Sequence, residues 1–215
     1  MKIYFNYNRE KDIWCLLNKG KSSNNSQSPT KVYEQLVAGS GGNLTNESVS
    51  AFIEKYILEN SINLQVYIAN YQKDWAGIEK EYQRRAEAIF QTKIPENITA
   101  YLTINNRCPY NIEKNYFFVT VPSSSVCRTI MHELFHFYTW HALGEKLMAN
   151  GVSMEKYNDL KEALTVILNL EFSDLMNGDI DRGYPQHQEM RAEITRLWSQ
   201  SKDITKLIEK LCMQF

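Results

Sequence analysis

Nowhere among its 215 residues does this chain carry an apolar run of about 18 residues, so no membrane-crossing helix is expected. An excess of one charge sign is missing too, since 24 Lys and Arg stand against 25 Asp and Glu. That balance argues against the basic stripe of a nucleic-acid or anionic-membrane surface. Cysteine is sparse and scattered, at Cys15, Cys108, Cys127 and Cys212, with no CxxC pair. A cysteine zinc site needs ligand pairs at short spacing, so four reduced, partly buried thiols are expected instead. Residues 1–6 lack the apolar core of a secretory signal, which makes a cytoplasmic protein the expectation. No internal repeat is visible.

What the chain does have is an ordinary globular composition, with 43% hydrophobic and 23% charged residues. Its length can bury a sizeable core without staples. It suits one domain over residues 1–215, with possible lobes at 1–94, mainly helical, and 95–215.

Residues 2–7 alternate as a short strand does, and 13–17 are expected to pair with them. A loop rich in Ser, Asn and Gln covers 20–30, followed by a short helix at 31–37 that Gly39, Gly41 and Gly42 stop. Thr45 or Asn46 caps a helix carrying Val49, Phe52, Ile53, Tyr56 and Ile57. Helical spacing continues over 62–90 through Tyr71, Trp75, Ile78, Tyr82 and Ile89. Residues 98–104 and 116–121 are rich in β-branched and aromatic side chains and read as strands. Beyond Pro122, Ser123 to Ser125 offer an N-cap for a helix over 125–149, and Asn150-Gly151 a C-cap. A helix over 153–172, a loop over 177–185 and helices over 186–199 and 202–213 complete the chain.

Within the helix at 125–149, residues 132–136 read His-Glu-Leu-Phe-His. Side chains four apart on an α-helix differ by about 40° in direction, so His132 and His136 share a face and can bind one zinc ion. Glu133 stands beside them, placed to take a proton from a water that zinc acidifies. Val126, Ile130, Met131, Leu134, Phe135 and Phe137 make this helix apolar nearly all round. Two histidines and a glutamate inside such a helix are costly unless they satisfy one another.

The strand at 116–121 followed by this helix resembles the zincin-like metallopeptidases, in which an antiparallel edge strand precedes HExxH and pairs with extended substrate. The resemblance covers residues 116–169. Peptide deformylases also use HExxH, but their glycine-rich and cysteine motifs are absent here. The metzincin extension fails, because Phe137-Tyr138-Thr139-Trp140-His141 follows the second histidine. His141 is expected at the surface near Glu145. The chain is similar to gluzincins, where a glutamate on the following helix completes a three-ligand site and leaves one position to water.

Glu155 and Glu162 are the candidates for that third ligand, with His187 a further alternative. Glu155 lies among polar residues in a first helical turn, where an acid suits the helix dipole. Glu162 is favoured: it opens the apolar run from Ala163 to Leu170, where a carboxylate needs a partner and zinc would supply one. The surrounding residues are Leu160-Lys161-Glu162-Ala163-Leu164, without the asparagine-glutamate pattern usual in the family. The resemblance also implies a downstream His, Tyr or Arg that steadies the developing oxyanion, and Tyr184 and His187 are placed for it. Asn169, on the face of Glu162, is a candidate for support behind the ligands.

The expected fold class is therefore α+β, predominantly helical, with a small antiparallel sheet beside the HExxH helix. The expected function is zinc-dependent hydrolysis of an amide bond in a peptide or protein, with Zn²⁺ on His132, His136 and Glu162 and Glu133 as general base. The alternative is a non-catalytic zinc-binding or helical interaction protein in which the motif is structural or inactive.

Overall fold

The computed structural model describes residues 1–19 and 28–212. In chain order the elements are β1 (Lys2–Asn6), α1 (Arg9–Lys19), α2 (Lys31–Gly39), α3 (Asn46–Glu59), α4 (Leu64–Ala76), α5 (Glu79–Phe90), β2 (Asn97–Thr103), β3 (Tyr110–Asn111) and β4 (Tyr116–Thr120). After these come α6 (Val126–Thr139), a π-helical turn (Trp140–Gly144), α7 (Glu145–Ala149), α8 (Met154–Leu164), α9 (Val166–Glu171), α10 (Gln188–Ser201) and α11 (Ile204–Cys212). The class is mixed α and β, mostly helical. Most of the loop expected at 20–30 lies outside the described residues, as does Met213 at the expected end of the last helix. Thr30 is described and caps α2 by accepting from Tyr33 N. None of the described helices is long and apolar enough to cross a membrane.

Two compact units divide the chain, and neither is continuous: Met1–Ala76 with Pro95–Thr129, and Gly77–Ile94 with Ile130–Phe215. The strand after Pro95 returns to pair with the N-terminal one, within the first unit.

The first unit is built on a four-stranded sheet of order β1-β2-β4-β3. Here the expectation of an antiparallel sheet is corrected. β2 runs parallel to β1, pairing Phe5 with Ala100, and parallel to β4, pairing Ala100 with Phe117; only the two-residue β3 is antiparallel to β4. Parallel neighbours need long crossover connections, and α1 to α5 lie between β1 and β2. β4 is also not an edge strand, since β2 flanks it on one side and β3 meets Tyr116 and Phe117 on the other. Its first four residues are all buried, as in a sheet covered on both faces. Residues 13–17, expected as a strand, are helical. Asp12, Cys15 and Leu16 are the buried positions of α1, a spacing that fits a helix and not a strand's alternation. Tyr71 on α4 accepts from Ser123 N at 2.8 Å and lies 3.1 Å from Thr120 O, pinning the chain between β4 and α6. Cys15, Cys108 and Cys127 are free thiols, as expected.

The second unit packs helices around aromatic side chains. Phe90 meets Phe135 edge-on with ring centroids 4.8 Å apart and stacks on Tyr138 at 5.7 Å, while Tyr82 lies 5.2 Å from Phe172. Each such ring contributes about 1.5–3 kcal/mol of burial. The Tyr82 hydroxyl donates to Met131 O at 2.9 Å, so α5 fixes the turn just before the two histidines. α10 packs against α8, α9 and α11.

The long helices expected here are interrupted at identifiable places. The span 62–90 divides at Gly77 and Ile78 into α4 and α5. The span 125–149 widens into the π turn, where the Trp140 ring lies so close to Gly144 that a Cβ there would sit 2.5 Å from it. The span 153–172 breaks at Thr165, whose Oγ1 is 2.8 Å from Glu162 O and competes with the backbone ladder.

Candidate metal centre

All the side chains of this centre belong to the second unit. Four-residue spacing on α6 brings His132 and His136 together, with their Nε2 atoms 3.0 Å apart. Glu162, near the end of α8, faces both: Oε2 lies 3.6 Å from His132 Nε2, and Oε1 lies 3.5 Å from His136 Nε2. Donor atoms from the three residues fall within 4.8 Å of one another, the one such set of three among the described residues.

Two donors each about 2.1 Å from a tetrahedral zinc stand about 3.4 Å apart, and the 3.0 Å between the two Nε2 atoms and the 3.6 Å from His132 Nε2 to Oε2 bracket that value. Two further observations fit a cation. Glu162 Oε2 is buried with no hydrogen-bond partner. His132 Nδ1 lies 2.6 Å from Asp181 Oδ2, so Nδ1–H donates to that carboxylate and the lone pair is left on Nε2, facing His136 and Glu162. A buried nitrogen-nitrogen-carboxylate set of this kind could hold a divalent metal ion, and His132, His136 and Glu162 are the residues that would hold it.

The electrostatics set the two imidazoles apart. Burial pulls His132 down, but the Asp181 and Glu162 carboxylates outweigh it and push the imidazole up to about 10, so a cation would have to displace a proton from Nε2 to bind there. Burial holds His136 well below its ordinary value, which keeps it neutral and able to ligate. For Glu162, burial is opposed by both imidazoles and by Lys161, which together hold the carboxyl well below its usual range. Glu133, 6% exposed, is pushed up to about 8 by burial, with the charge of His132 pulling the other way.

Asp181 is the residue that sequence reasoning missed. It sits in the loop at 177–185, and its carboxyl is held down at about 2 against burial by His132, Arg191 and Thr165. Asn169 clamps its backbone, donating to Asp181 O at 2.7 Å and accepting from Asp181 N at 2.8 Å. Asn169 thus supports the site through Asp181 and not by touching a ligand. Buried Arg191 on α10 donates to Asp181 O at 2.6 Å and to Thr165 Oγ1 at 2.7 Å. Gly183 makes room for it: φ is +60°, and a Cβ there would fall 2.7 Å from Arg191 Nη1.

The remaining candidates lie elsewhere in the unit. Glu155 is exposed in the first turn of α8, behind the Ser153 cap, and has no part in the ligand set. His141 is exposed. His187 is buried, its Nε2 3.0 Å from Asp159 Oδ1 on α8, one turn before Glu162. Tyr184, 36% exposed, stands edge-on to that imidazole at 5.8 Å. Neither belongs to the set of three. Compared with family models, with curated proteins and with solved structures, the chain finds no match.

Proposed function

We propose that this chain is a zinc-dependent hydrolase of the metallopeptidase kind, acting on an amide bond in a peptide or protein. The observation that carries the reading is the convergence of His132 Nε2, His136 Nε2 and the buried Glu162 carboxylate, with Asp181 holding the His132 ring from its other nitrogen. A bound zinc ion supplies Lewis acidity toward the scissile carbonyl and acidifies the attacking water. Glu133 takes the proton of that water and returns it to the leaving amine. The likeness to zincins rests on the HExxH helix and on a carboxylate from a later helix, while the parallel strands of the sheet depart from it.

The steadying of the oxyanion falls to His187 or Tyr184; His187 Nε2 lies 3.0 Å from Asp159 Oδ1, a contact that holds the ring. The test is metal analysis of the purified chain. About one zinc per chain is expected, falling to near zero in His136→Ala; a wild-type protein that takes up no zinc overturns the reading.

A further inference from the structure

Lys161 directly precedes Glu162 on α8, and its side chain is only 8% exposed. Lysine is seldom buried unless paired. Its Nζ donates to Glu162 Oε1 at 2.9 Å. Neighbours in a helix point about 100° apart, so helix geometry does not impose this contact; the lysine stem must curl to make it. The two oxygens of one carboxylate are thereby unequal. Each oxygen faces one histidine, Oε1 at 3.5 Å from His136 Nε2 and Oε2 at 3.6 Å from His132 Nε2, but Oε1 also carries a charge-assisted hydrogen bond, whereas Oε2 is buried and has no hydrogen-bond partner.

We infer that Lys161 is a positioning residue that occupies Oε1 of Glu162 and leaves Oε2 as its single donor to the metal. This role rests on the zinc centre proposed above. A carboxylate binding through one oxygen makes three protein donors in all and leaves a tetrahedral position to water; binding through both would crowd it. Lys161 also offsets the charge of Glu162, just as Arg191, 3.2 Å from Asp181 Oδ1, offsets that of Asp181. The donor set then neutralises little of the cation's charge, which keeps it a strong Lewis acid.

The experiment compares wild type with Lys161→Met and Lys161→Arg. Zinc affinity is read by competition with a chromophoric chelator, and coordination by the visible spectrum of the cobalt(II) forms. Lys161→Met is expected to weaken zinc about 10- to 100-fold and to replace the intense four-coordinate cobalt bands with weaker five-coordinate ones. Lys161→Arg, which keeps charge and donor, is expected to recover most of both. Wild-type affinity and spectrum in a folded Lys161→Met protein overturn the role. Should that variant fail to fold, X-ray absorption of the zinc-loaded wild type decides: one carboxylate oxygen in the inner shell supports the role, two overturn it. A wild type that binds no zinc overturns the centre itself, an outcome distinct from the other two.

Discussion

His132 Nδ1 and Asp181 Oδ2 stand 2.6 Å apart although 49 residues separate them in the chain. The contact ties the HExxH helix to a loop that carries no motif of its own. It holds the His132 ring with Nε2 toward His136 and Glu162, so a hydrogen bond outside the candidate ligands supports their arrangement. Asp181→Ala is therefore expected to lower zinc affinity about 10- to 100-fold with little change in helix content. Asp181→Asn, which keeps an acceptor for Nδ1–H, should lose less. Competition with a chelator checks both, and an unchanged affinity in Asp181→Ala would remove Asp181 from the account.

Gly183→Ala tests the support behind that contact. The new methyl would meet Arg191 Nη1 at 2.7 Å, and the backbone there has φ of +60°. Arg191 must give way and release Asp181 O. A loss of about 1–3 kcal/mol in unfolding free energy is expected, together with several-fold weaker zinc binding. Denaturant unfolding and chelator competition measure the two effects separately.

Phe90→Ala should cost about 3–5 kcal/mol, because the ring packs against both Phe135 and Tyr138 in the core of the second unit. Its mutation touches no ligand, so zinc affinity in the folded fraction should stay close to wild type.

Asp12 yields a pH prediction in the first unit. Burial raises its carboxyl to about 6, against hydrogen bonds from Thr103 and Ile104 that pull it down. Its folded value lies above the unfolded one, so the folded chain holds the proton more tightly. Stability from this group is then fully present below about pH 4, the unfolded value, and lost as pH rises through about 6. The difference between the folded and unfolded proton affinities corresponds to about 3 kcal/mol. Asp12→Asn keeps an acceptor but cannot ionise, so it should be more stable than wild type at pH 7 and nearly equal at pH 4. Denaturant unfolding at the two pH values checks this, and a gain that does not depend on pH would contradict it.

Much of the centre was legible in the chain. His132 and His136 were legible because helix periodicity alone puts residues four apart on one face. Glu162 was legible because a carboxylate heading the apolar run to Leu170 has few other ways to be satisfied. Asp181, Arg191 and Lys161 were not. They meet their partners across loops or by a curled side chain, and neither leaves a period in the sequence. In the sheet, β2 and β4 were recognisable from β-branched and aromatic residues, but composition carries no strand direction; the crossover through α1 to α5 sets it. The run from Ile13 to Leu17 shows the same ambiguity at shorter range. Five apolar residues suit a strand or one buried side of a helix equally, and Asp12, outside the run, completes the helical face.

The central claim is most directly tested by measuring peptide turnover by the zinc-loaded Glu133→Gln protein beside wild type, on a mixed peptide library read by mass spectrometry. Glutamine preserves the shape of the side chain and leaves the three ligands in place but cannot accept the proton. The account predicts equal zinc content in the two proteins and a loss of turnover of about 10²- to 10⁴-fold in the variant. Cleavage by Glu133→Gln at the wild-type rate, with zinc retained, would contradict it.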